Sequence, residues 1–214
     1  MLGCPCSQSP DVEGMSKSAT NHGRHGGTDV RDKILEAASD LFYKQGIRAV
    51  GVDLVVEKAG VAKTSLYRHF GTKDDLVAAF LERADLDFWS EWDRVAEQYA
   101  DNARAELNAQ LDWIGERAGQ PDYRGCPQIN VAAEFPDADH PARKVAKAHK
   151  RELRQRMKCI AERLNSAAPD ELAGQLAVLV NGAFVSTHIF EPGEAAQLLR
   201  RAANALIAAT AAGR

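Results

Sequence analysis

The stretch GVAKTSLYRHFGTKDDL, residues 60–76, decides how the rest of the chain is interpreted. Gly60 can adopt the backbone conformation of a tight turn, and a short helix-forming segment follows it. That segment has only two large apolar residues to bury, Leu66 and Phe70. Its other side chains carry hydrogen-bond donors: Lys63, Thr64, Ser65, Tyr67, Arg68 and His69. We therefore expect a helix whose donor-rich side faces outward.

The flanking sequence predicts helices on both sides of this stretch. Apolar residues recur at steps of three and four from Val30 and from Val52, and glycine ends each pattern. The second of these helices and the donor-rich helix would form a helix-turn-helix. Thr72 and Asp75 have capping-box spacing at the start of a long amphipathic helix, which runs to about Tyr99.

Beyond Tyr99 the chain continues as amphipathic segments separated by breaks that contain Pro or Gly. The predicted helices lie near 102–118, 127–134, 139–166, 169–190 and 193–211. No segment alternates clearly enough to predict a strand. The predicted fold class is all-α.

An exposed helix with many donors is suited to the major groove of DNA, because phosphates and base edges accept hydrogen bonds. Lys73 lies on the first turn of the next helix, where the helix dipole disfavours a cation and favours an anion. A DNA phosphate beside Lys73 would reconcile the two. The residues alone therefore predict a nucleic-acid interface, although the net charge of −3 does not suggest one.

Residues 34–80 resemble the N-terminal DNA-binding domain of the TetR family of bacterial transcriptional regulators. The resemblance rests on AASDLFYKQG, AGVAKTSLYRHF and TKDDL. It implies DNA contacts from Lys63, Thr64, Ser65, Tyr67, Arg68, His69 and Lys73, and a core role for Leu66 and Phe70. The sequence departs from the family at Gly51 and Ala62, where a Ser or Thr helix cap is usual. Loss of such a cap costs on the order of 1 kcal/mol.

Three regions are expected. Residues 1–29 are rich in Gly, Ser, Pro, Asn and His and predict a disordered tail. Residues 30–76 would form the helix-turn-helix domain. Residues 77–214 would form a helical domain that, by the resemblance, binds a small-molecule ligand and forms a homodimer, with release of a repressor from its operator as the commonest family behaviour.

The C-terminal region contains two apolar helix faces that could form a four-helix dimer interface. They comprise Leu172, Leu176, Leu179, Val180, Ala183 and Phe184, followed by Leu198, Leu199, Ala202, Leu206 and Ile207. The alternative is that these residues only complete the core of one subunit. The candidates for a ligand pocket, which would be largely apolar with a few polar groups, are Trp89, Trp92, Trp113, Asn130, Phe184 and His188.

The four cysteines are too few and scattered for a disulfide framework, and no apolar run approaches the roughly 20 residues of a membrane span. We therefore expect a cytoplasmic protein that does not enter a membrane. A zinc site in the tail is disfavoured, because one residue between the cysteines is tighter than structural zinc spacing; its ligands would be Cys4, Cys6, His22 and His25. No metal or cofactor is expected.

Two other functions remain possible at this point. Cys126 precedes a probable helix start, where backbone amides stabilise a thiolate, although free cysteines more often serve as small apolar fillers. A helical-bundle enzyme could use Cys126, or a set such as Glu134, His140 and His149, but no established catalytic motif supports it. A helical adaptor that binds only protein is the other alternative. Neither would explain the basic donors of residues 63–73.

Overall fold

The computed structural model describes residues 30–186, 189–191 and 193–212, and these residues form nine α-helices and no β-strand. The helices are α1 (Val30–Gln45), α2 (Val52–Ala59), α3 (Lys63–Phe70), α4 (Lys73–Gln98), α5 (Ala103–Ala118), α6 (Pro127–Glu134), α7 (Pro141–Arg163), α8 (Pro169–Val185) and α9 (Glu194–Ala212). The all-α prediction is confirmed. The tail predicted for residues 1–29 lies outside the described residues.

Helices α1 to α3 form the head of the molecule, and α2 and α3 are a helix-turn-helix. Gly60 takes the left-handed conformation with φ of 65°, and its N–H donates to the carbonyl of Glu57. Leu66 and Phe70 are buried, as predicted. Neither Gly51 nor Ala62 supplies a side-chain cap. The first turns of α2 and α3 therefore depend on tertiary packing rather than capping.

The capping box at the start of α4 is present. The N–H of Asp75 donates to Oγ1 of Thr72 at 3.1 Å, and the N–H of Thr72 donates to the Asp75 carboxylate at 3.0 Å. Two backbone donors that the helix cannot satisfy internally are thus paired. This fixes the direction in which α4 leaves the recognition helix.

Helix α4 divides its buried side between two hydrophobic cores. Its first half, with Leu76 and Phe80, packs in the head against α1 and α3. Its second half, with Phe88 and Trp92, packs in the body formed by α5, α7, α8 and α9. One continuous helix therefore belongs to both cores.

Helix α6 forms a second connection between head and body. At its C-terminus, the Glu134 carboxylate accepts the N–H groups of Ile47 and Arg48 at 3.1 and 2.8 Å. In the loop before its N-terminus, the N–H of Arg124 donates to the hydroxyl of Tyr43 on α1 at 2.9 Å. Both ends of α6 are therefore attached to the head by hydrogen bonds.

The apolar residues predicted for a dimer interface mostly fill the core of the subunit. Leu172, Leu176 and Phe184 are buried among α5, α7 and α9, and so are Val180, Ala183, Leu199 and Ile207. Leu179, Leu198, Ala202 and Leu206 are only partly buried. The assignment of the most buried residues to an interface was wrong, because an apolar helix stripe packs first against its own subunit. The outward faces carry other apolar residues, including Val178 and Val185.

Helices α5 and α9 cross closely at Gly115. A Cβ atom on Gly115 would lie 2.5 Å from the backbone nitrogen of Ala196. No side chain fits there unless the helices separate. In the part of the chain that the structure describes, no helix has both the length and the apolarity to cross a membrane.

We predict that Gly115→Ala destabilises the protein by about 1–3 kcal/mol, the usual cost of inserting a methyl group into a packed contact. The matched control is Gly174→Ala on α8, where an added Cβ meets nothing within 4 Å. Alanine is the better helix former by about 1 kcal/mol, so the control should be neutral or stabilising. Urea unfolding of the three proteins measures both effects, and equal midpoints for the two variants would contradict the close crossing.

We also predict that Glu134→Gln loosens the attachment of the head. A neutral amide offers one acceptor oxygen in place of two and removes the charge, which costs about 1–3 kcal/mol. Hydrogen exchange at the amides of Ile47 and Arg48 should accelerate about tenfold or more. Glu116→Gln, at an exposed position on α5, is the control and should leave both exchange rates unchanged. Unaltered exchange in Glu134→Gln would argue against this contact.

Candidate DNA-binding surface and body cleft

The outward face of α3 is as polar as its sequence predicts. Lys63, Thr64, Tyr67 and Arg68 are exposed, and Ser65 and His69 are partly buried. Tyr67 has 45% of its surface exposed although it is a large aromatic residue. Helix α3 contains no acidic residue, so nothing within it competes with a polyanion for these donors.

Lys63 forms an ion pair with Asp53 on α2, with 2.7 Å between Nζ and the carboxylate. The Asp53 hydrogen bond raises the pKa of Lys63 above its ordinary value, so the ammonium is charged at neutral pH. Both side chains are largely exposed to solvent, and such surface pairs contribute little to stability. Lys63 can therefore exchange Asp53 for another anion at low cost.

Lys73 lies at the joint between α1 and α4. It is partly buried, and its ammonium donates to the carbonyl of Ile47 at 2.7 Å and lies 5.9 Å from the ring centre of Phe42. Burial lowers the pKa of Lys73 from its ordinary value. An ammonium has three donor hydrogens. One of them fixes the turn after α1.

The interior of the body is filled by several of the residues predicted to line a ligand pocket. Trp92 and Phe184 are buried in the core, and both lie beside Phe88, with ring centres 6.3 and 6.2 Å away. Trp113 packs against the same ring at 5.0 Å. Trp113 and Phe184 pack in this core, and Trp92 also lines a cleft of about 220 Å³ beside Arg156 and Arg163. The positions predicted from sequence were chosen for their apolar character, which does not distinguish a cavity wall from a core.

An open cleft of about 1030 Å³ lies between α4 and α7, and Trp89 is on its wall. The guanidinium of Arg156 stacks over Trp89 at 4.6 Å and pairs with the carboxylates of Asp93 and Glu152. His149 and Asp85 also reach this cleft. We refer to it as the α4–α7 cleft. It combines an aromatic face with charged groups at its rim.

The two polar residues predicted to orient a ligand are not brought together with Trp89. Asn130 lies on α6, where its amide donates to the carbonyl of Arg124 at 2.9 Å. A smaller cleft of about 300 Å³ between α1 and α6 includes Asn130 in its wall. His188 lies outside the described residues.

Glu134 and His140 have structural roles. Glu134 accepts two backbone N–H groups of the head, as described above. His140 caps α7 by accepting the N–H of Ala142 at 3.2 Å. Cys126 and His149, in contrast, lie together in the body beside Asp85 and Lys150. Sequence reasoning missed Asp85 and Lys150. For Asp85 the sequence did contain a signal, which was its spacing. Asp85 lies four residues after Leu81 and three before Phe88, and this spacing places it on the buried side of α4.

No three His, Cys, Asp or Glu side chains of the described ranges are placed to hold a metal ion. The tail residues considered as zinc ligands, Cys4, Cys6, His22 and His25, lie outside those ranges.

Comparison with known proteins places this geometry in a family. Residues 34–80 match the model of bacterial regulatory proteins of the tetR family. The transcriptional activator FasR of Mycolicibacterium smegmatis is 43% identical over 53 residues, which cover 25% of this chain and only 24% of FasR. The transcriptional repressor Rv3405c of Mycobacterium tuberculosis is 32% identical over 181 residues, which cover 78% of this chain and 92% of that protein.

A solved structure extends the similarity to the whole fold. The TetR-family transcriptional regulator SCO4454 of Streptomyces coelicolor superposes with a TM-score of 0.79 and 26% identity, over 85% of this chain and 95% of that one. The similarity to Rv3405c and to this structure therefore includes both head and body. The chain belongs to the TetR family of DNA-binding bacterial transcriptional regulators.

Proposed function

We propose that this protein is a sequence-specific repressor that binds a palindromic operator as a homodimer in the bacterial cytoplasm and is released by a small-molecule ligand. The observation that carries the proposal is the composition of α3. Every side chain of that helix except the buried Leu66 and Phe70 is a donor on its outward or partly buried surface. Such a surface supports groove binding and has no role in the two cores.

The donor side chains of α3, together with Lys73, would have two roles, contact with base edges and contact with the sugar-phosphate backbone. Arg68 and Tyr67 are large exposed side chains, and arginine is suited to guanine because it can donate two parallel hydrogen bonds to one base edge. Thr64, Ser65 and His69 are shorter and would contact bases or sugar-phosphate at closer range. Lys63 would exchange Asp53 for a phosphate, and the remaining donors of Lys73 would contact the backbone.

A dimer would present two α3 helices to successive half-sites of a palindrome. The support for an interface on α8 and α9 is their outward apolar surface. Val178 is 71% exposed and Val185 is 59% exposed on α8, and Leu198 and Leu206 are partly exposed on α9. Two copies of this surface, related by a two-fold axis, would pair α8 and α9 of each subunit.

Ligand control would act through a shift between two arrangements of the heads. The α4–α7 cleft is the best-supported ligand site, because Trp89 and other residues of α4 line it and α4 continues into the head. A ligand that prefers one separation of α4 and α7 would move the start of α4 and so α3. Repression is favoured over activation because the relative that aligns over most of its length, Rv3405c, is named a repressor.

We predict that Arg68→Ala and Tyr67→Ala each weaken operator binding by about 10- to 100-fold, corresponding to about 1–3 kcal/mol per lost base contact. Lys63→Ala should weaken binding to all sequences and reduce the salt dependence by about one phosphate contact. The matched control is Arg154→Ala, an exposed basic position on α7. Random-site selection with the purified chain, followed by gel shifts at several salt concentrations, measures these effects. Equal affinity of all four variants would contradict the assignment of α3.

We predict that Val178→Asp converts the dimer to a monomer, because a buried unpaired carboxylate costs several kcal/mol at each of two symmetric positions. Leu86→Asp on α4 is the matched control, since Leu86 is 72% exposed and Val178 is 71% exposed. Analytical ultracentrifugation should show at least a hundredfold increase in the dimer dissociation constant for Val178→Asp alone. A dimer of unchanged affinity would place the interface elsewhere.

A further inference from the structure

The body contains a buried polar cluster that DNA binding does not require. It consists of Asp85 on α4, Cys126 and Gln128 at the start of α6, and His149 and Lys150 on α7. Cys126 is 6% exposed and His149 is 2% exposed. The buried polar groups in native proteins are usually fully paired, so unpaired atoms within such a cluster call for an explanation.

The hydrogen bonds of this cluster are incomplete. Nδ1 of His149 lies 2.8 Å from the Asp85 carboxylate, but neither ring nitrogen has a hydrogen bond of regular geometry to a described residue. The Gln128 amide donates to Asp85 and to the carbonyl of Leu81, and its buried oxygen has no partner among the residues that the structure describes. His149 therefore lies between the Asp85 carboxylate and the Cys126 thiol, and its two interactions are with the groups that decide the charge of the cluster.

The charges around the thiol favour its ionised form. Lys150 Nζ lies 3.6 Å from Sγ of Cys126 and donates to the Asn181 side chain at 2.7 Å. Burial alone would raise the pKa of Cys126, but the His149 imidazole and the Lys150 ammonium outweigh it and bring that pKa to about 7. Burial lowers the pKa of His149, but Asp85 and Cys126 raise it more strongly, so the imidazole tends to be protonated.

The charge balance agrees with the pKa directions. Two basic groups, His149 and Lys150, face one carboxylate, Asp85, and the thiolate supplies the second negative charge. Burial lowers the pKa of Lys150, and Cys126 counteracts that effect. The other titratable groups near the thiol are Tyr43 and Tyr123, whose pKa values burial raises, and the cations Arg117 and Arg124 that face these phenols. None of them supplies a competing negative charge at neutral pH.

The surroundings favour a small, flat, conjugated reagent. Phe88 and Trp89 pack against the His149 ring at 5.1 and 4.9 Å. Tyr123 and Phe184 lie together at 6.3 Å, and Lys150 faces the Phe184 ring. His149 and Asp85 also line the α4–α7 cleft, so a reagent that enters this cleft reaches the imidazole beside Cys126.

We propose that Cys126 is a sensor thiol that adds to small α,β-unsaturated carbonyl compounds and thereby changes DNA affinity through α6, an inference that rests on the proposed function. The sulfur electron pair of the thiolate forms a bond to the β-carbon, and the C=C π electrons move onto the carbonyl oxygen. The resulting enolate takes a proton from the His149 imidazolium. The product is a thioether, and the addition needs neither an oxidant nor a reductant.

An adduct at Cys126 would alter both attachments of α6 to the head. Cys126 is the N-cap of α6, and its carbonyl accepts the N–H groups of Ile129 and Asn130 at 3.0 Å. A buried thiol has no room for a new substituent unless this helix start moves. The preceding loop is bonded to Tyr43, and the far end of α6 binds the turn after α1 through Glu134.

The thiol is tested first in the full-length protein, in which Cys126 is a free cysteine. Its reaction with methyl vinyl ketone is followed by intact mass and peptide mapping from pH 5.5 to 9. The rate at Cys126 should rise with a midpoint near pH 7, compared with about 8.5 for an ordinary thiol. His149→Gln should raise the midpoint by at least one pH unit, and His140→Asn, which retains a helix cap, should not. Lys150→Gln, at a less buried position, should also raise it.

The regulatory step is tested by gel shift on the palindrome obtained from site selection. Treatment with methyl vinyl ketone should weaken binding at least tenfold, and Cys126→Ser should bind normally and not respond. A parent midpoint above pH 8, or no reaction at Cys126, would overturn the sensor thiol. A complete adduct with unchanged DNA affinity would overturn its link to the head. Failure of the untreated chain to bind any duplex would overturn the proposed function alone, because the thiol titration does not involve DNA.

Discussion

The turn that follows α1 is held from two sides, and the position of the DNA-binding head depends on it. Glu134 of the body accepts the N–H groups of Ile47 and Arg48, while Lys73 of α4 donates to the carbonyl of Ile47. A carboxylate bound by two amides is a strong, directional contact. Since Gly46 brings the chain into this turn at φ of 88°, the backbone groups face the body instead of continuing α1. Head and body are thus joined by backbone contacts as well as by shared apolar packing.

Much of the fold could be predicted because the sequence marks its own breaks. Gly60 ends α2 through its backbone conformation, and Thr72 starts α4 through a side-chain cap. Pro127 starts α6 because it lacks an N–H, which the first turn of a helix does not need. The predicted starts and ends of most helices therefore lie within a few residues of those observed. The outward face of α3 was predictable for a related reason. A helix with two buried positions in eight can face the core on only one side.

The body was harder to predict because its contacts are long-range. The stripe from Leu172 to Phe184 is apolar whether it faces its own core or another subunit, and only the packing of α5, α7 and α9 decides between the two. Trp92 and Phe184 were expected in a ligand pocket for the same reason. The cluster at Cys126 combines residues 41 positions apart in sequence, from Asp85 to Cys126, and no local pattern relates them. The sequence singled out Cys126 and His149 separately, but nothing in it placed them together or beside Asp85 and Lys150.

The proposed regulation would reach α3 by two routes, through α4 and through α6, and they differ in kind. A guest in the α4–α7 cleft would act on α4 by reversible contact, and its effect would be limited to its differential affinity for two arrangements. A covalent adduct at Cys126 would remain in place after the free reagent is gone, because the thioether does not dissociate on the time scale of DNA binding. Its effect would then be set by the difference in strain that the adduct causes in the two arrangements. His149 lines the cleft and also interacts with the thiol of Cys126. A compound that is both aromatic in shape and electrophilic would therefore act first through the cleft and then, after addition, through α6.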